Sequence, residues 1–398
     1  MLAMKLPLYS GNNSFLLTSL LVACGCLSSQ VFAESEKKLD FKLSADAGYI
    51  DNFLYQTRNE QSTAFYNLSS VLDLEVKNNQ SAFNIDGTID SFIFQDFDDD
   101  NHTDFTLKPT YQYKFAQNQR LYMSGLWQNQ YAYRGTGLSL GEANALTEGD
   151  KKAIKGAGVG FEYGNDDSQG KLNVEVNYNE SEFTTRRALT NQLDSEVTHI
   201  KSSFDYLLSG KTYLAFDVGY QMIEFPNATL SNRDSLTGLV GVKWQTTVIS
   251  ELSFLVGYQN LEFENNSAAD DDAFKWRFDY TWRPSDFTTV HAVSNRKFDE
   301  SNRLTNSYRL AENYQVDIAH AFTDSFNVFV AVSLNRDRFI TPESQQDENY
   351  LSSKIVLNYQ RSERVNYHLR YQHKALDANY ADIDYQYNSL TLGMTIHL

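Results

Sequence analysis

Catalysis needs a nucleophile, an acid or a set of metal ligands in mutual reach, so the residues able to supply these come first. The seven histidines are His102, His199, His291, His320, His368, His373 and His397, scattered over separate segments, and none falls in a metal-ligand spacing. His368 and His373 make the best-looking pair, but a separation of five along a strand sends them to opposite faces. Two acidic runs, Asp98-Asp99-Asp100 and Asp270-Asp271-Asp272, carry enough charge to hold a calcium ion. Neither has the alternating ligands and glycine of a calcium loop, so solvated loop charge is the simpler reading. Cys24 and Cys26 are the only cysteines, and both lie in the leading segment. No catalytic residue, metal or cofactor is expected.

The elements that carry these residues set the class. Of 398 residues, 41% are hydrophobic and 14% aromatic, with 25 Tyr and 26 Phe against 5 Pro, which is too aromatic and too patterned for disorder. A net charge of -17 argues against a nucleic acid held by a basic surface. The mean hydropathy of -0.47 looks water-soluble, but a strand with one lipid face and one wet face has a middling mean however strongly it alternates. The long apolar run 15–33, preceded by Lys5 and ending Val31-Phe32-Ala33, reads as a secretory signal over 1–33. Cleavage after Ala33 leaves 34–398 as one domain without cysteine. A rival cut follows from Leu21-Val22-Ala23-Cys24, which resembles a lipoprotein lipobox and would make Cys24 a lipid anchor. The Ala33 site is favoured because a barrel that spans the membrane gains nothing from an anchor.

From residue 40 onward the pattern has period two. Leu72, Leu74 and Val76 alternate with Asp73, Glu75 and Lys77; Phe274, Trp276, Phe278, Tyr280 and Trp282 alternate with Lys275, Arg277, Asp279 and Thr281. About eighteen such strands are expected, from 40–55 to 385–398. The last places Leu390, Leu392, Met394, Ile396 and Leu398 on one face and ends the chain on an open edge, which the first strand is expected to cover. Connections alternate between short turns, such as 78–80 and 209–211, and longer polar loops at 96–102, 134–152, 184–196, 264–272 and 340–349. The fold expected is therefore all-β: one transmembrane antiparallel barrel with short periplasmic turns and longer extracellular loops. Aromatics gather where strands meet the short turns (Tyr113, Phe115, Phe161, Tyr163, Phe204, Tyr206, Trp244, Trp282, Phe322 and Tyr359), the pattern of an interfacial girdle. Pro109, inside a strand, marks a bulge or a frayed pair.

The alternation also assigns an inward face. Asp86, Asp90, Lys108, Asp217, Lys275, Arg277, Lys354 and Arg370 are placed on it as pore-lining residues, by register rather than by motif. The inward charges balance in sign, so the wall lacks the single-sign field that selects small ions. Eighteen strands enclose more space than side chains fill, so a channel follows unless loops fold in.

The opening strand, Ala47-Gly48-Tyr49-Ile50-Asp51-Asn52-Phe53, and the final Leu390-Thr391-Leu392-Gly393 resemble the β-barrel porins encoded alongside bacterial exopolysaccharide export systems. The terminal Leu398 departs from the Phe that many outer-membrane proteins carry. The resemblance implies a protein of the Gram-negative outer membrane through which a polysaccharide leaves the cell, with a periplasmic polysaccharide export protein as partner and no cofactor. Outer-membrane lipid and lipopolysaccharide are the expected surroundings, with the acidic loops able to reach lipopolysaccharide phosphates through divalent cations. A general diffusion porin for small polar solutes is the alternative, since the same wall serves both tasks. A loop adhesin or rim enzyme is the third reading and predicts a blocked lumen.

Overall fold

The computed structural model describes residues 35–165, 168–247, 249–264, 270–301, 308–340, 345–380 and 382–398; the leader over 1–33 lies outside them. Eighteen strands follow one another in chain order. The first six are β1 (Glu36–Ile50), β2 (Thr63–Lys77), β3 (Ser81–Phe94), β4 (His102–Ala116), β5 (Gln119–Ala132) and β6 (Asp150–Tyr163). Next come β7 (Gly170–Phe183), β8 (Ser195–Ser209), β9 (Thr212–Glu224), β10 (Arg233–Thr247), β11 (Ser250–Phe263) and β12 (Asp271–Ser285). The last six are β13 (Thr288–Glu300), β14 (Tyr308–Thr323), β15 (Phe326–Ile340), β16 (Gln345–Ser362), β17 (Val365–Ala378) and β18 (Tyr385–His397). Each pairs antiparallel with its neighbours, and β18 pairs with β1 from Lys42↔His397 to Ile50↔Ser389, so the sheet closes on itself. The Leu398 amide donates to the Phe41 carbonyl at 2.9 Å, which covers the edge on which the chain ends.

Two strand boundaries differ most from the sequence reading, by five residues each. β1 stops at Ile50 rather than 55, because Asp51 and Asn52 use their side chains to turn the chain inward. β16 begins at Gln345, inside what reads as a loop over 340–349, because strands that rise past the lipid need no apolar face there. At Pro109 the β4–β5 ladder lapses: Leu107 pairs with Trp127 and Thr110 with Ser124, with no pair between and no change of register. The proline therefore frays a pair and makes no bulge, since it lacks the donor but leaves the residue count matched.

The outer face is the apolar one. Tyr66, Leu68, Val218, Phe254, Leu390 and Leu392 are exposed, as they must be where lipid takes the place of water. Tyr113, Phe115, Tyr163, Phe204, Tyr206, Trp244, Trp282, Phe322 and Tyr359 ring the short-turn end, all exposed on the outside, and Phe161 stacks against Phe115. The seam between first and last strands has its own fastening. Asp46 of β1 and Gly393 of β18 are register partners, as are Gly393 and His368 of β17. A Cβ on Gly393 would sit 2.0 Å from Asp46 Oδ1 and 2.4 Å from His368 Nε2, so only glycine lets these two side chains meet, at 3.0 Å, across the intervening strand.

Candidate functional site at the barrel mouth

At the long-loop end the interior stops being polar. The loop 51–62 turns into the barrel instead of outward, and the turn is built from the Asp51-Asn52-Phe53 residues. The Asp51 carboxylate accepts from the backbone and side-chain amides of Asn388 at 2.7 Å. Asn52 is fully buried; its amide donates to the Gln56 and Gln386 carbonyls at 2.8 Å, and its own oxygen accepts from the Gln56 amide at 2.9 Å. Thus both of its side-chain donors and its side-chain acceptor oxygen are engaged in holding the loop. Phe53 then packs on Phe94, Phe97 and Tyr133, and Tyr55 stacks flat on Tyr387 with centroids 5.1 Å apart. Burial among these rings pushes the Tyr55 phenol well above its usual range. Lys374 lies over both Tyr55 and Tyr387, 5.7 and 5.0 Å from their centroids.

The loop 133–149 joins the first. Gly135 adopts φ +80°, and a Cβ there would lie 2.1 Å from the Leu54 carbonyl oxygen, so the two loops touch backbone to side. Ala143 and Ile383 complete the same buried cluster. A charged latch fastens this loop to the wall. Asp100 is fully buried and takes Arg134 Nε at 2.9 Å as well as its Nη2, while the Tyr131 hydroxyl donates to the same carboxylate. Arg134 Nη1 donates on to the Leu146 carbonyl at 2.7 Å. Asp100 is therefore neither solvated loop charge nor a cation ligand, as its acidic run suggested; Asp98 and Asp99 stay exposed. In the other acidic run, Asp270 accepts from the Phe263 amide and Asp271 from the Tyr308 hydroxyl. Among the described residues no group of three or more His, Cys, Asp or Glu is placed to hold a metal.

Opposite the loops, the strands themselves lean inward. β12 and β13 pair only up to Trp276↔Arg296. Beyond that row, Phe298, Tyr308 and Leu310 pack onto Leu261, Phe263 and Ala273 of the inner face of β11 and β12. The lean carries Lys297, Asp299 and Arg309 into the mouth. Arg309 bridges Asp299 at 2.9 Å and Asp337 at 2.8 Å, and Lys297 reaches Asp299 at 3.0 Å. Between these groups and Gly137 of the facing loop lies a cavity of about 520 Å³, which Tyr350, Lys374 and Tyr385 also line.

The eight residues singled out by register all lie on the strand faces opposite the exposed apolar rows. They do not form one site. Asp86 and Lys108 are register partners across β3 and β4, and Asp90 is opposite Asp104. Asp217 pairs with Arg277 across the inner wall of β9 to β12, where Lys275 donates to Gln259 at 3.0 Å. Lys354 covers the Phe329 ring, and Arg370 stands 3.9 Å from Asp46. Other wall charges pair likewise, Lys243 with Asp205 and Arg120 with Glu162, each at 2.8 Å. The mouth residues Arg309, Asp299, Asp337 and Arg134 escaped sequence reasoning, and Asp100 was read only as part of an acidic run, because their pairing is long-range and no local spacing announces it.

A closed barrel of this strand count, with a wet paired-charge wall and an apolar exterior, is the architecture of a porin. The family model described as "Putative beta-barrel porin 2" matches residues 40–398. The chain belongs to this porin family. Among solved structures, OpdQ of Pseudomonas aeruginosa matches with a TM-score of 0.52 at 12% identity, covering 93% of this chain and 100% of that one. The outer membrane protein OpdK of the same organism matches with a TM-score of 0.50 at 8% identity, covering 91% and 99%. At such identities the likeness concerns the fold. Among curated proteins no relative matches. This porin is an outer-membrane protein, and its long-loop end is the extracellular one.

Proposed function

We propose that this porin is a passive channel for small polar solutes and that the narrowed mouth sets the size limit. The observation that carries the reading is the inward fold of loops 51–62 and 133–149 against the leaning ends of β13 and β14, which leaves a space of about 520 Å³ at the mouth. A space of that size suits a small molecule. The pairing of wall charges supports the same reading: Asp217 with Arg277, Asp205 with Lys243 and Glu162 with Arg120 leave no single-sign field to trap an ion, while hydrogen-bonding groups remain to exchange with a passing solute.

Polysaccharide export with a periplasmic partner rests on the resemblance of the opening and closing strands, and on a wall that would let a hydroxyl-rich chain slide. It requires both inward loops to leave the lumen. Liposome swelling with a size series of sugars separates the two: monosaccharides should enter and long oligosaccharides should not. Loss of the gene should slow small-solute uptake and leave surface polysaccharide intact. Loss of surface polysaccharide with uptake unchanged would overturn the small-solute reading in favour of export.

A further inference from the structure

The outer wall carries a feature that the passage of solute does not use. Outward-facing residues form rows across the strands, fixed by register. Across β13 to β16 one row reads Ser294, Tyr314, Leu334 and Leu351. The next row toward the extracellular end reads Arg296, Glu312, Arg336 and Asn349, and the one beyond it places Arg338 between Leu310 and Asp347. Below them Val316, Val332, Leu351 and Ile318 are exposed and apolar. The arginines therefore begin one row, roughly 7 Å, above the lipid-facing surface. Outer-leaflet headgroups are expected just above such an apolar surface.

The wall is concave there. Because β13 and β14 lean into the lumen, Leu310 is drawn away from the outer surface into the buried cluster with Phe298. The groove left outside has a volume of about 600 Å³; Leu310 and Leu334 line its floor, Glu312, Arg336, Arg338, Asp347 and Asn349 its rim, and the buried Asp337 and Glu348 also line it. All four carboxylates are already committed: Asp337 accepts from Arg309 at 2.8 Å, and Glu348 from the Tyr350 hydroxyl at 2.5 Å. Glu312 accepts from Arg296 at 3.2 Å and from the Tyr314 hydroxyl at 3.0 Å; Asp347 accepts from Arg338 at 3.1 Å and its backbone amide is held by Asn379. Arg336 lies over the Tyr314 ring, 5.9 Å from its centroid, and has no carboxylate partner among the described residues. Its guanidinium edge is left for an outside acceptor, and Arg338 stands two residues along the same face.

The long-loop ends of β7 to β11 have the opposite character. Glu180, Glu196 and Glu224 are direct register neighbours across β7, β8 and β9, and Asp234 faces Glu262 across β10 and β11. Like charges set side by side repel an anion and one another. In a chain of net charge -17, the arginine rows of β13 to β15 are thus the arc suited to an anion.

We infer that this groove is a docking site for the phosphorylated sugar headgroup of an outer-leaflet glycolipid, the lipopolysaccharide that surrounds the barrel. Arg336 and Arg338 take a phosphate, a planar fork matching its oxygens. Leu334, one row below Arg336, meets the start of the acyl region. The inference is independent of which solute the lumen passes.

The test is glycolipid retention. The mature barrel is purified in detergent from outer membranes, and bound lipid A is counted for wild type and for Arg336→Gln/Arg338→Gln, with heat-modifiable gel mobility confirming that both are folded. Retention should fall by at least about tenfold in the variant, the loss expected for two charge-assisted hydrogen bonds. Arg336→Lys/Arg338→Lys should restore part of it. Wild type in nanodiscs should prefer phosphorylated to dephosphorylated lipid A, and inorganic phosphate should not displace it. Equal retention by the glutamine variant, or equal binding of dephosphorylated lipid A, overturns the site; ready displacement by inorganic phosphate reduces it to a free-anion site and overturns the glycolipid assignment. Single-channel conductance should match wild type in every variant, since no lumen residue is changed.

Discussion

The two sides of the mouth are narrowed by different physics. On the side of β1 to β5, β17 and β18, two loops are pinned by a few hydrogen-bonded groups: Asn52, the Asp51–Asn388 pair and the Asp100–Arg134 latch. On the side of β11 to β14, among the described residues it is the strands that bend inward, burying Phe298, Tyr308 and Leu310 on the wall. A latch fails all at once when one partner is lost, since the other is stranded in the interior. An apolar contact weakens in proportion to the volume removed and leaves the strands covalently and hydrogen-bonded in place. The loop side is therefore the part of the mouth that a single substitution can open.

The largest effect should come from Asp100→Ala. It strands the Arg134 guanidinium, at a cost of about 3–5 kcal/mol to the closed loop. Single-channel conductance should rise and larger sugars should enter liposomes; wild-type conductance would show that the latch does not hold the loop. Phe298→Ala comes next, with a loss of about 3 kcal/mol in packing. It should lower the unfolding midpoint in urea while changing conductance less than Asp100→Ala does, and a reversed order would erase the distinction between the two sides. Arg309→Gln leaves the buried Asp337 without its cation, while Asp299 keeps Lys297. The reversal potential in a salt gradient should move toward cation selectivity. The smallest effect belongs to Lys374→Gln, which gives up the contacts over Tyr55 and Tyr387 worth about 0.5–1 kcal/mol each. Hydrogen exchange should be faster in loop 51–62 alone.

The barrel was legible in the sequence because its rule is local. Lipid on one side and water on the other impose period two on every strand, so the strand count, the inward face of Asp217 and Arg277, and the pairing of β18 with β1 can all be read from alternation. The mouth was not, because it departs from that rule. Phe53 and Tyr55 continue the aromatic spacing of β1 and so read as strand, although the Asp51-Asn52 before them holds the turn; side-chain hydrogen bonding of this kind competes with the ladder. Asp100 and Arg134 lie 34 residues apart on different loops, and their pairing depends on where the barrel brings those loops. The polar start of β16 reads as loop because polarity stands for solvent, and above the lipid a strand is solvated too.

The contact of Asp46 with His368 over Gly393 has a temporal meaning. Its two side chains belong to strands that are not neighbours, and they meet only once β18 lies between them in register with both. Pairing between the two ends of a chain closes the longest loop and is the slowest kind to form. The contact therefore exists only in the closed barrel. A one-residue slip of the closing strand would replace Gly393 with the side chain of Leu392 or Met394 and drive the pair apart. The glycine thus acts as a proofreading position, where the correct register is the one that fits.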